Sequence, residues 1–203
     1  MFTMSTLKRA KRSYHYGDLR PALLRGAGEV LEKEGVAALS LRAVTRRMGV
    51  SHAAPYRHFP DRESLLAALA AEGFAMLGEA QRRAAAAHGL RGMGEAYVAF
   101  ALAHPQRFRL MFGGHVGIGR HAALREAARR TYEALSGALA ARVPAAPGAR
   151  DAPIAVWATV HGLAQLLMEE RIDPAAFGGR TQEQFVRDVL GAIRFAAGPA
   201  QSA

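Results

Sequence analysis

The stretch Leu39–Phe59, LSLRAVTRRMGVSHAAPYRHF, reads as two short helices joined by a tight turn. Ser40 is placed to cap the first, its hydroxyl accepting from amides left unpaired at the helix start. Leu41, Val44 and Met48 follow at i, i+3 and i+7 and make one apolar face. Gly49 stands where the chain must reverse, and glycine takes positive φ without a steric penalty. Ser51 is placed to cap the second helix. Tyr56 and Phe59 give that helix an inward edge, with His52, Arg57 and His58 directed elsewhere. Pro55 lies about one turn in, removes a backbone donor and tightens or shifts that turn. Short helix, glycine turn and short polar-faced helix make the helix-turn-helix pattern, whose second helix lies in the DNA major groove.

The charge is concentrated around this stretch. Residues 1–62 hold twelve Lys and Arg against five Asp and Glu, seven of the ten excess positive charges of the 203-residue chain. Such a balance suits a polyanionic partner. Residues 1–13 read as a basic arm, either a disordered tail or a segment that contacts phosphates or the minor groove. No apolar run follows the arm as in a secretory signal, and no stretch approaches the roughly 20 apolar residues of a membrane span. With no cysteine there is neither a disulfide framework nor a thiolate metal site. The chain therefore reads as a cytoplasmic protein, associated with the nucleoid when on DNA, with no membrane partner.

Helical spacing covers the rest, and the fold is expected to be all-α with about nine helices. A first helix from about Asp18 to Glu34 carries Leu19, Leu23, Ala27, Val30 and Leu31 on one face and ends at Gly35. After the helix pair, Asp61 caps a long helix that runs to about His88. Further helices are expected over Met93–Ala103, Gln106–Phe112, Arg120–Arg142 and Ile154–Glu170. The last starts at the capping box Thr181–Gln184 and ends at Gly198. The glycine-rich run from Gly113 to Gly119 follows no strand and lacks a trailing Lys-Ser/Thr, so it reads as an inter-helix loop rather than a phosphate cradle. The 154–170 helix is apolar on two sides, Ile154, Trp157, His161, Ala164 and Met168 on one and Val156, Val160, Leu163 and Leu167 on the other. That pattern means burial on both.

The first 75 or so residues resemble the TetR family of bacterial transcriptional regulators. The carrying residues are Tyr14–Leu19, Leu41–Val44 and Met48–Ser51, completed by Pro55–Leu66, in which Tyr-x-His-Phe-x-Asp-Arg-Glu-x-Leu-Leu runs from Tyr56. The arrangement Trp157-x-x-x-His161-Gly162 is similar to a C-terminal domain type in one branch of such regulators. The resemblance implies a basic arm over 1–13, a DNA-binding head over 14–62 and a ligand-binding and dimerisation body over 63–203. It also implies a homodimer, most simply a repressor, released from a palindromic operator when a small apolar ligand shifts the spacing of the two heads.

The expected DNA-binding set is Ser40, Arg42, Ser51, His52, Ala53, Ala54, Tyr56, Arg57, His58 and Arg62. Arg42 reads a base, and Lys8–Arg12, Arg57 and Arg62 add salt-sensitive attraction. The expected cavity lining is Phe74, Leu77, Tyr97, Phe100, Phe108, Met111, Phe112, Trp157 and His161, with Tyr97 and His161 orienting the ligand. The same residues are legible as solid core, the more ordinary role of such a set. Gly162, Ala164, Leu167, Val186, Val189 and Ile193 are the expected dimer contacts, on the last two helices. No hydrolase elbow, zincin motif or phosphate loop is present, and His115 and His121 share no helical face, so no enzyme, metal or cofactor is expected. The rival readings are a small-molecule-binding helical protein and a nonspecific basic nucleic-acid-binding protein.

Overall fold

The computed structural model describes residues 19–51, 53–140 and 150–192. Among these residues there are seven α-helices and no strand. Helix α1 (Leu19–Ala38) turns sharply at Gly35, where φ is 78°. Helix α2 (Leu41–Met48) starts at Ser40, whose Oγ accepts from Ala43 N at 3.1 Å, and ends at Gly49 with φ 66°. Leu23, Leu31, Leu39, Val44 and Phe59 are fully buried between these elements and form the core of the head. The helix count falls below nine for two reasons. The second helix of the pair is not an α-helix among the described residues: Ala54–Arg57 is a 3₁₀ turn with Pro55 buried inside it. Proline lacks the donor an α-turn would need there, and the tighter turn accommodates it. Tyr56, expected on the inward edge, is 48% exposed, and Pro55 and Phe59 anchor the segment inward.

The second reason is helix α3 (Arg62–Ala103), which spans the two helices expected from Asp61 and Met93. It passes through a kink at Gly89 (φ 60°, ψ −144°), a conformation that a side chain would disfavour. Asp61 caps it, Oδ1 accepting from Ser64 N at 2.7 Å, and those bonds hold the carboxyl below its ordinary value. Helix α4 (Pro105–Phe112), α5 (Ala122–Ala140), α6 (Ala152–Met168) and α7 (Gln182–Ala192) complete the body. Thr181 and Gln184 form a reciprocal capping box at the start of α7: Thr181 N donates to Gln184 Oε1 at 2.9 Å and Gln184 N to Thr181 Oγ1 at 3.2 Å. The last stretch of the expected final helix, with Ile193, lies outside the described residues. No helix among the described residues is long and apolar enough to cross a membrane.

Head and body are joined by charged side chains. Arg62 donates from Nε to Leu39 O at 2.7 Å and from Nη2 to Val36 O at 2.6 Å, fixing the start of α3 against the end of α1. Arg107 of α4 is 7% exposed and lies between Glu72 of α3, 2.8 Å from Nη1, and Glu32 of α1, 3.7 Å from Nε. Gly28 makes room for it, since a Cβ there would meet Arg107 Nη2 at 2.7 Å.

Candidate nucleic-acid surface and ligand cavity

On the head, the cations divide into two groups. Arg47 is bound to Glu29 of α1 through Nε (3.1 Å) and Nη2 (2.8 Å), and Arg62 is bound to the carbonyls named above. Both guanidinium groups hold elements together, which removes Arg62 from the freely presented set the sequence suggested. Arg42, Arg46 and Arg57 are exposed and have no acidic partner among the described residues. Arg46 was not singled out from sequence, although it stands four residues after Arg42 on the same side of α2. Ser51, Ala53 and Tyr56 are also exposed, Ala54 and His58 are half-buried, and His52 lies outside the described residues. Ser40 uses its oxygen as the cap of α2, and Ser51 Oγ accepts from Ala53 N at 3.4 Å. The surface is cationic with one exposed aromatic ring, and small residues allow close approach.

In the body, α3, α4, α5, α6 and α7 enclose a cavity of about 300 Å³. Phe74, Leu77 and Gln81 line it from before the Gly89 kink, and Leu90, Met93, Gly94 and Tyr97 from after it. Phe112, Ala128, Thr131, Tyr132, Leu135, Val156, Trp157, Val160 and Leu190 complete most of the wall. Trp157 and Tyr132, each 36% exposed, and Ile118, 40% exposed, stand at its wetter side. Of the residues expected from sequence, Phe74, Leu77, Tyr97, Phe112 and Trp157 reach the cavity. Phe100, Phe108, Met111 and His161 do not line it. Phe108 is fully buried, Met111 is 4% exposed and Phe100 6%, so these three are core. His161 sits behind Tyr97, its ring 5.3 Å from Phe108 and 5.0 Å from Phe112.

Tyr97 and His161 also complete each other rather than standing free. Trp157 Nε1 donates to Tyr97 Oη at 3.2 Å, and Tyr97 Oη lies 2.8 Å from His161 Nδ1. Tyr97 and His161 thus share one hydrogen bond, whose proton comes from the phenol or from Nδ1 according to the imidazole tautomer. Burial raises the Tyr97 phenol well above its ordinary value and lowers the His161 imidazolium below its own, which keeps both neutral. Stability depends on pH as a result. The unfolded chain protonates His161 near its ordinary value of 6.5, whereas the folded chain does so only at lower pH. The contribution of this group is therefore full above pH 6.5 and declines as pH falls below it. Thermal melts between pH 5 and 8 check this: the wild-type midpoint should drop below pH 6.5, and His161→Gln should remove that part of the drop. Parallel profiles would mean that His161 keeps its ordinary proton affinity in the fold.

Gln81 went unnoticed in the sequence. Its position carried a signal, a polar residue four after Leu77 and seven after Phe74 on an otherwise apolar stripe. It is 6% exposed, and its Nε2 donates to Met93 O at 3.5 Å, across the kink. Its Oε1 is buried and has no hydrogen-bond partner among the described residues.

The dimer contacts expected from sequence separate in the same way. Ala164 is fully buried, Leu167 is 7% and Val186 5% exposed, so all three belong to the core of one subunit and are not available to a second. Val189 is half-buried, and Gly162 has open space around it. The open side of α6 instead carries Ile154 and Leu166, 50% and 47% exposed.

Residues 23–69 match the model for bacterial regulatory proteins of the tetR family, and residues 90–191 the model for the tetracyclin repressor-like C-terminal domain. No curated protein matches the sequence. The structure of a protein with unknown function from Rhodococcus sp. RHA1 is 34% identical. It aligns over 89% of this chain and 96% of its own, with a TM-score of 0.74. The regulatory-protein candidate SCO4313 is 27% identical over 90% of this chain and 100% of its own, with a TM-score of 0.68. The TetR family transcriptional regulator PfmR from Thermus thermophilus shares the fold at 20% identity, over 83% and 94% of the two chains, with a TM-score of 0.58.

Proposed function

Because the chain belongs to the TetR family, and is thus a DNA-binding transcriptional regulator, we propose that it is a homodimeric repressor released from a palindromic operator by a small molecule held in the body. The observation that carries this reading is the course of α3. The helix begins at Arg62, bonded to the end of α1, and reaches the cavity wall at Phe74, Leu77 and Gln81. At 1.5 Å per residue, about 18 Å of helix separate the head from the first cavity residue. A molecule that favours a different packing of that wall shifts the angle of the same helix at the head. Two heads read successive major grooves only when about 34–36 Å apart, so a ligand that prefers another spacing lowers affinity by population shift. We place the head within 14–62, the body within 63–203, and the protein in the cytoplasm and on the nucleoid.

Sequencing the DNA fragments selected by the purified protein tests the reading. A shared palindrome supports it, and retention of fragments without a common sequence favours a nonspecific basic protein instead. With the operator in hand, Arg42→Ala should relax preference at one base pair per half-site. An arginine bidentate to guanine supplies roughly 1–3 kcal/mol of discrimination, or about 5- to 150-fold for that base. A uniform loss across all sequences would assign Arg42 to the phosphate backbone. The second copy of the chain is placed against the exposed sides of α6 and α7.

A further inference from the structure

We propose that the body cavity takes a small apolar molecule with one anionic head, a carboxylate, and that the Arg91 guanidinium receives that head. The inference rests on the reading of the body as a ligand-binding domain and specifies what that domain takes. The polar groups of the wall sort by what they leave open. Gln81 Oε1 is closed off from water and Nε2 donates to Met93 O, so this amide belongs to the packing of the wall itself. Tyr97 Oη accepts from Trp157 Nε1 and shares a hydrogen bond with His161 Nδ1. The Thr131 hydroxyl faces Phe74 O at 3.2 Å and Ala127 O at 3.0 Å. Two groups remain. Tyr132 is 36% exposed, and its hydroxyl has no hydrogen-bond partner among the described residues. Arg91, with its side chain 53% exposed, is the only charged residue among those lining the cavity.

These two groups set the charge of the occupant. No carboxylate lines the cavity, so a cationic ligand would meet the positive charge of Arg91 with nothing in the wall to offset it. A carboxylate head instead meets a planar guanidinium fork, and charge-assisted pairs of this kind are shorter and stronger than neutral ones. The guanidinium is not fully committed elsewhere. Its Nε stands 3.3 Å from Glu95 Oε1, and the same oxygen has a second cation in Arg187, 3.7 Å away through Nε. Two arginines around one carboxylate leave one positive charge over, and the Nη groups of Arg91 donate no hydrogen bond among the described residues. The Tyr132 hydroxyl can donate to the same class of head. Phe74, Leu77, Met93, Phe112 and Val160 supply apolar surface for the rest of the molecule. A volume of about 300 Å³ is at the small end for ligand sites, which suits a medium chain rather than a long one.

Trp157 is the only tryptophan of the chain and lines the cavity, so its fluorescence reports occupancy. Titration of the full chain at pH 7 with octanoate, octanamide and octylamine compares an anionic, a neutral and a cationic head on one apolar chain. Octanoate is expected to bind tightest, about five-fold over octanamide, the upper range for a charge pair that stays half exposed, and octylamine weakest. Arg91→Gln should bring octanoate down to the level of octanamide, whose continued binding shows that the cavity is intact. Arg83→Gln removes the same charge from an exposed side chain outside the wall and should keep the preference, which separates a contact in the cavity from attraction to a basic protein. Equal binding of octanoate and octanamide, tighter binding of octylamine, a preference that survives Arg91→Gln or disappears in Arg83→Gln, or no response to any probe overturns the inference. The regulator reading stands or falls separately, on operator binding. An octanoate preference with no effect on the operator complex supports the role of Arg91 and removes release by ligand. Selective operator binding with equal probe affinities does the reverse.

Discussion

Arg107→Met is expected to lower the thermal midpoint by about 6–12 °C, the equivalent of ~3 kcal/mol in a chain of this length. The side chain it replaces is 7% exposed and bridges three helices: Nη1 meets Glu72 Oε2 at 2.8 Å and Leu69 O at 3.3 Å on α3, and Nε faces Glu32 Oε1 of α1 at 3.7 Å. Methionine keeps most of the packing volume, so the loss isolates the charge. What remains is two carboxylates without their cation, and removing one partner of a buried pair is far more damaging than removing both. Glu32 and Glu72 side chains are 28% and 38% exposed, so water recovers part of the loss, which puts the effect near the lower end for such pairs. Adding Glu72→Gln to Arg107→Met should therefore restore some of the midpoint, since it removes one orphaned charge. The loosening should be greatest where α1 meets α4, and amide exchange of α1 should accelerate more than that of α6. A single variant within 2 °C of the wild type would mean that the bridge adds nothing net and that apolar contact alone holds the head to the body.

The head was legible in the sequence because its signals are local. Ser40, Gly49 and Asp61 each act on atoms within three residues, and the capping box at Thr181 does the same. The Gly89 kink lies in the gap the spacing left between two expected helices, although the chain bridges it as one helix. What periodicity could not settle is which neighbour an apolar face meets. The two faces of α6 looked alike, yet Val156, Val160, Leu163 and Leu167 are buried in the subunit, while Ile154 and Leu166 stand in the open. Ala164 and Leu167 were assigned to a partner for that reason, and long-range packing overrules the assignment. The cavity was misread in a related way. Phe100, Phe108 and Met111 have the same composition as a lining and are core, because aromatic content does not reveal where packing leaves a void. Gln81, a buried polar residue of the cavity wall, was hidden by the apolar stripe around it.

Leu166→Glu is expected to give a monomer and to weaken binding to a full palindromic operator by about 10²- to 10⁴-fold, the size of the advantage lost when two linked sites become independent. Ile154, Ala158, Gly162 and Leu166 recur every four residues along α6 and form one outward stripe. Ile154 and Leu166 are half exposed at its two ends, and the small residues between them, with open space at Gly162, allow a second helix to approach closely. A carboxylate placed in such a contact would be buried without a cation, which opposes association. Leu166 touches the subunit core less than its neighbour Leu167, which is 7% exposed, so Leu166→Glu should leave the fold of each subunit intact where Leu167→Glu would disrupt it. Light scattering gives the oligomeric state, and thermal melting confirms that the subunit is folded. Affinity for a single half-site supplies the internal control, because Arg42, Arg46 and Arg57 lie on the head and are untouched by the change. A folded monomer with normal half-site affinity and a lost full-site affinity is the expected outcome. A variant that stays dimeric would place the interface on another face of the body. A monomer that retains full-site affinity would mean that each head binds alone and that head spacing plays no part in recognition.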